Sequence, residues 1–149
     1  MGEQNNFPAA RLLSFQVYFY ANQSGTKIDL NDNSFLEIRE TIETPDEEAD
    51  KLNQNPEVLT LAKHILSYLF ENDQAVRECV NNSLHHKNLD KLSKTDFALV
   101  MLGTSELIQN KAKDSKNIIN SYVNISKRYG SKDSYSLINA VLDNVSREI

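Results

Sequence analysis

Few residues in this chain combine a type and a spacing that could do chemistry. The one cysteine, Cys79, sits in DQAVRECVNNSL beside Ala75, Val76 and Val80. In that setting a lone thiol reads as a small core residue, and a Cys–His nucleophile has no supporting motif. His85 and His86 are adjacent, whereas helical histidines that share a metal stand three or four apart. They read better as a helix end, where cationic side chains suit the negative pole. His64 stands alone in an apolar helix and reads as a partly buried packing residue. From Asp29 to Asp50 there are nine acidic residues and one basic, which reads as a solvated, polar connection. No glycine-rich phosphate loop, nucleophile elbow, zinc-ligand set or nucleotide fingerprint occurs. The expectation is an interaction module rather than an enzyme, with no metal and no cofactor.

The elements that position these residues are helices. Four glycines and three prolines in 149 residues, 40% of which are hydrophobic, suit one all-α domain over residues 1–149. Pro8 opens a first helix to Asn22, on which Leu12, Leu13, Phe15, Val17, Phe19 and Tyr20 form a stripe wide enough for burial on most sides. Arg11 and Gln16 are its polar exceptions, expected to face solvent or bond a nearby carbonyl. A short helix is expected over 34–43, then an acidic loop to Pro56, then helices beginning at Pro56 and Asp73. Ser93-Lys94-Thr95-Asp96 is close to a capping box and opens a helix whose run Phe97 to Leu102 is apolar throughout. Gly103 marks a close crossing there. Two amphipathic helices close the chain, hinged at Tyr129-Gly130. One carries Ile118, Ile119, Tyr122, Val123, Ile125 and Tyr129; the other carries Ser134, Ile138, Val141, Leu142, Val145 and Ile149. Gly130 stands where a left-handed helix cap is wanted, and Asp133 or Ser131 where the next helix wants an acceptor. The count is about seven helices, with no strand. The wide apolar stripes suit either a monomer's core or a homodimer.

Charge is uneven. The net charge is −5, yet Lys87 to Ile149 holds ten basic residues against seven acidic, so a basic face on an acidic protein is possible. The opening MGEQNNFPAAR lacks the basic and apolar regions of a secretion signal, and no apolar run reaches membrane-spanning length. A cytoplasmic location without a membrane partner is expected.

Three blocks resemble the NusB family. The most specific is IIN(x)₆KRYG(x)₂DS(x)₃INAVLD, from Ile118 to Asp143. Family members carry an AK-aromatic-G helix end there, then a D-S pair and a VNGVLD-like run. Leu92-Ser93-Lys94-Thr95-Asp96 through Glu106-Leu107 looks like the family's central helix, and Pro8-Ala9-Ala10-Arg11 through Gln16 like its first. The resemblance implies a compact all-α bundle of two packed helical subdomains. It also implies transcription antitermination: binding of single-stranded boxA-like RNA together with the small-subunit ribosomal protein that serves as NusE, in support of RNA polymerase on ribosomal RNA operons. By position it implies RNA contacts from Arg11, Lys116, Lys127, Arg128 and Tyr129, the cations on phosphates and the aromatic ring on an unpaired base. The family's first helix often carries consecutive arginines; here Ala9-Ala10 and Leu12-Leu13 flank Arg11, so fewer phosphate contacts are implied. The alternative is a NusB-fold protein-interaction module that has lost most RNA recognition.

Overall fold

The computed structural model describes residues 5–31, 55–84 and 89–149. Among these residues there are six α-helices and no strand: α1 (Phe7–Ser24), α2 (Pro56–Glu71), α3 (Asp73–Ser83), α4 (Lys94–Gln109), α5 (Ser115–Tyr129) and α6 (Ser134–Glu148), with a 3₁₀ turn at Leu89–Lys91. The all-α expectation holds. The helix expected over 34–43, most of the acidic connection and the His85-His86 pair lie outside the described residues. The chain divides into two compact units, Met1–Ser67 and Tyr68–Ile149.

In the first unit, α1 buries Ala10, Leu13, Phe15, Val17, Tyr18 and Ala21. The burial is as wide as expected, but Leu12, Phe19 and Tyr20 of the expected stripe are only half-buried and Tyr18 is buried in their place. The same helix corrects the solvent-facing expectation for Arg11 and Gln16, since both are buried, as is Ser14. The Ser14 hydroxyl donates to the Ala62 carbonyl on α2 at 3.4 Å. The Arg11 guanidinium lies 5.0 Å from the centre of the Phe7 ring. Both amide atoms of Gln16 are buried without a hydrogen-bond partner, a desolvation cost of about 1–3 kcal/mol that α1 carries for its position. Gly25 caps α1 in the left-handed region, with φ 71°, and Asn55 caps α2 by accepting from Glu57 N–H at 2.9 Å. His64, expected to be partly buried, is exposed.

The second unit is built around α4. Ala98 to Leu102 and Leu107 are fully buried, as a helix that is apolar all round requires. Helices α3, α5 and α6 pack against it. Ser93 caps it, its hydroxyl accepting from Asp96 N–H at 3.1 Å. The capping box is only half formed, because Asp96 Oδ1 is buried with no hydrogen-bond partner; an aspartate is one methylene shorter than the glutamate that reaches back. Gly103 is the expected close crossing. A Cβ there would stand 2.7 and 2.8 Å from the two Cδ atoms of Leu142 on α6. At the next joint, Asp73 does not cap α3 but pairs with Arg77 at 2.7 Å. The Arg77 guanidinium also stands 5.2 Å from the Phe97 ring centre, tying α3 to α4.

The far end of α4 closes in a Schellman arrangement. Lys111 N–H donates to Ile108 O at 3.1 Å and Ala112 N–H to Leu107 O at 2.8 Å. The position that usually takes glycine holds Lys111, at φ 52°, and Ala112 and Asp114 follow at 61° and 60°. Side-chain-bearing residues pay roughly 1–2 kcal/mol for this region.

Two stability measurements follow from these joints. Lys111→Gly should raise the urea midpoint by the equivalent of roughly 0.5–1 kcal/mol, the relief of strain exceeding the added chain entropy. Gly103→Ala should lower stability by about 1–3 kcal/mol through overpacking. The double variant Gly103→Ala/Leu142→Ala should cost less than the two single losses combined, because the same methyl groups collide.

Candidate nucleic-acid interface

The site implied by the C-terminal block is built from α5, its end and the start of α6. Ile118, Ile119, Tyr122 and Ile125 are buried along one side of α5. Tyr122 is fully buried, and its hydroxyl donates to the buried carboxylate of Glu106 on α4. With that side held inward, the opposite side is left to solvent. Lys116 and Lys127 are both exposed. They stand eleven residues apart in the chain, which is three helical turns, so they share a face at a separation of roughly 16 Å. Asn120 is exposed between them. Lys127 and the exposed Arg128 fall in the last turn of α5, where cations also suit the helix's negative end.

The hinge between α5 and α6 corrects both expectations made for it. Gly130 is not left-handed: its φ is −89° and ψ −179°, extended backbone open to any residue. Its N–H donates to Ser126 O at 2.8 Å. Glycine is required there by crowding instead. A Cβ would lie 2.6 Å from Ser134 Cβ and 2.7 Å from Ser126 O. The expected side-chain cap is also absent: the Asp133 side chain makes no cap bond, and Ser131 serves the helix through its carbonyl, which accepts from Ser134 N–H at 3.1 Å. The buried Ser134 closes the turn from inside the helix, its hydroxyl accepting from Ser131 N–H at 2.9 Å.

Tyr129 is half-buried with its hydroxyl oxygen buried, and the Arg128 guanidinium lies 5.5 Å from its ring centre. The ring therefore packs inward and supports a cation outward. Two further residues belong to this surface and are missing from the sequence reading. Lys132 is exposed within the hinge. Tyr135, in the first turn of α6, is 46% exposed, with Lys127 Nζ 5.7 Å from its ring centre. The signal for Tyr135 was present: it falls outside the Ser134, Ile138, Val141, Leu142 and Val145 stripe, so an aromatic stands on the polar side of an amphipathic helix. The structure thus brings Lys127, Arg128, Tyr129 and Tyr135 together, with Lys116 along the same face of α5. Arg11 lies in the first unit, buried as described.

Burial, then the Glu148 carboxylate, push the Cys79 thiol above its ordinary value, so the reactive thiolate is scarce near neutral pH. Among the described residues, no group of three or more histidine, cysteine, aspartate or glutamate side chains could hold a metal ion. No described helix is long and apolar enough to cross a membrane.

The chain is similar to known proteins over most of its length. The NusB family model matches residues 8–147. The transcription antitermination protein NusB of Borreliella burgdorferi is 26% identical over 134 residues, covering 89% of this chain and 88% of that protein. The NusB of Clostridium botulinum is 29% identical over 90 residues, 60% of this chain and 68% of its own. Among solved structures, T. maritima NusB aligns with a TM-score of 0.75 at 22% identity, covering 99% of this chain and 94% of that one. A structure of antitermination factors NusB and NusE in complex with dsRNA aligns with a TM-score of 0.78 at 18% identity, covering 99% of this chain and all of that one. At these identities the structural likenesses bear on fold.

The crowding at the hinge is open to test. Gly130→Ala should cost about 1–3 kcal/mol in chemical denaturation although its φ suits alanine, whereas a position needing only an extended backbone would lose almost nothing.

Proposed function

The chain belongs to the NusB family, whose named members are transcription antitermination proteins, and from that premise we propose that it binds single-stranded boxA-like RNA. In this reading it does so with a small-subunit ribosomal protein acting as NusE. The complex supports RNA polymerase against termination on ribosomal RNA operons. The observation that carries the RNA contact is the exposed cationic face of α5, with Lys116 and Lys127 three turns apart and Arg128 beside Tyr129. The lysines and Arg128 neutralise phosphates and release counterions, which supplies affinity. Tyr129 offers the exposed part of its ring to an unpaired base. Arg11, buried against Phe7, makes the least accessible of the proposed phosphate contacts. The role needs no bond making, only positioning of RNA and partner together.

A second reading is a NusB-fold interaction module that has shed most RNA recognition. The burial of Arg11 and the absence of neighbouring arginines on α1 favour it.

A polarisation titration with a labelled boxA-like RNA separates the two, run with and without the ribosomal protein at several salt concentrations. RNA binding that weakens with salt is expected. Lys127→Glu/Arg128→Glu should weaken it at least about ten-fold and flatten the salt slope by roughly 1.4, two phosphates' worth for a single strand. Partner binding with no RNA binding in either arm at low salt would establish the second reading instead.

A further inference from the structure

We infer that Tyr135 is a second stacking platform for single-stranded RNA, set beside the cations of the α5–α6 hinge. This rests on the RNA-binding reading and adds a residue to it that the family-block comparison did not single out. The argument begins with exposure. Among the described residues, Phe7, Phe70, Tyr135 and Ile149 are the large hydrophobic side chains left most open to solvent. Of these, Tyr135 carries a lysine ammonium against its ring, Lys127 Nζ at 5.7 Å from the centre.

The surroundings select the ligand. Between Lys127 and Tyr135 the chain carries Lys127, Arg128 and Lys132 against the single acid Asp133, and all four are exposed. An open aromatic face on cationic ground suits a ligand that carries negative charge and flat π-faces in alternation. Single-stranded nucleic acid is that ligand: each base has a face to stack, and each linkage brings a phosphate to a neighbouring cation. The two tyrosines divide the work by burial. Tyr129 has its hydroxyl oxygen buried and Arg128 against its ring, so little of it is open to a base. Tyr135 has nearly half its surface free, and Lys127 reaches it from the last turn of the preceding helix, where the ammonium can meet a phosphate flanking the stacked base. Ser134, next to Tyr135, is buried and bonded within the hinge. The ring is therefore held on a fixed turn, and little conformational freedom is lost on binding.

The full chain serves for the test, with a labelled single-stranded boxA-like RNA as probe. Tyr135→Ala should weaken binding roughly ten-fold, while Tyr135→Phe, which keeps the π-face, should stay within about two-fold. The chain contains no tryptophan, so Tyr135→Trp installs a unique indole whose emission should be quenched when RNA saturates the protein. A Tyr135→Ala variant that binds the RNA like the parent overturns the inference and leaves the wider RNA reading standing. So does indole emission indifferent to saturating RNA, or loss of affinity for the ribosomal-protein partner alone. A parent protein that does not bind the RNA at low salt, with or without the ribosomal protein, overturns both.

Discussion

The constraint on which the second unit depends is that α4 has no side for water. From Ala98 to Leu102 every side chain is apolar and buried, so the helix is stable only inside a sleeve made by its neighbours. Fully burying a leucine, valine or methionine side chain is worth about 1.5–3 kcal/mol, and the run holds four of them beside Ala98. Helices α3, α5 and α6 form that sleeve, and two of them must approach closely enough to meet each other. Gly103 lets α6 come near enough for Leu142 to occupy the space of a missing side chain. The hinge between α5 and α6 is the short connection left over once both lie against α4. The crowding at Gly130 and Ser134 follows from that shortness.

Much of this was legible in the sequence because periodicity reports directly on burial. The all-apolar run of α4, the stripes of α5 and α6, the Ser93 cap and the Gly103 crossing all follow from residue type and spacing. The misreadings have a common cause. Local rules assign a residue its commonest role, and tertiary contact assigns another. Gly130 is needed for want of a Cβ rather than for its φ. Ser134 closes the turn in place of Asp133. Arg11 is buried where arginine is usually exposed, with its guanidinium against the ring of Phe7 one turn earlier. Lys111 ends α4 in a conformation that sequence rules reserve for glycine, and no local pattern announces it.

The candidate site was legible in a different way. The blocks shared with the family pointed to Arg11, Lys116, Lys127, Arg128 and Tyr129; the fold buries Arg11 and leaves the other three cations exposed. Three turns of helix bring the two lysines to one face, and the buried stripe turns that face outward. Tyr135 escaped because family blocks weigh what relatives share, whereas its interest lies in exposure and in the reach of Lys127.

The buried contact between the Tyr122 hydroxyl and the Glu106 carboxylate has a consequence beyond holding two helices together. A purely greasy seam lets one cylinder roll against another by a fraction of a turn at small cost, because one methyl replaces another. A directional bond between two oxygens in a dry interior does not permit that roll. Tyr122 therefore acts as a locating key: it sets the rotational phase of α5, and the azimuth of every lysine on the far side is read from it. The compass bearing of a charged surface is fixed, in this protein, by one oxygen that water never touches.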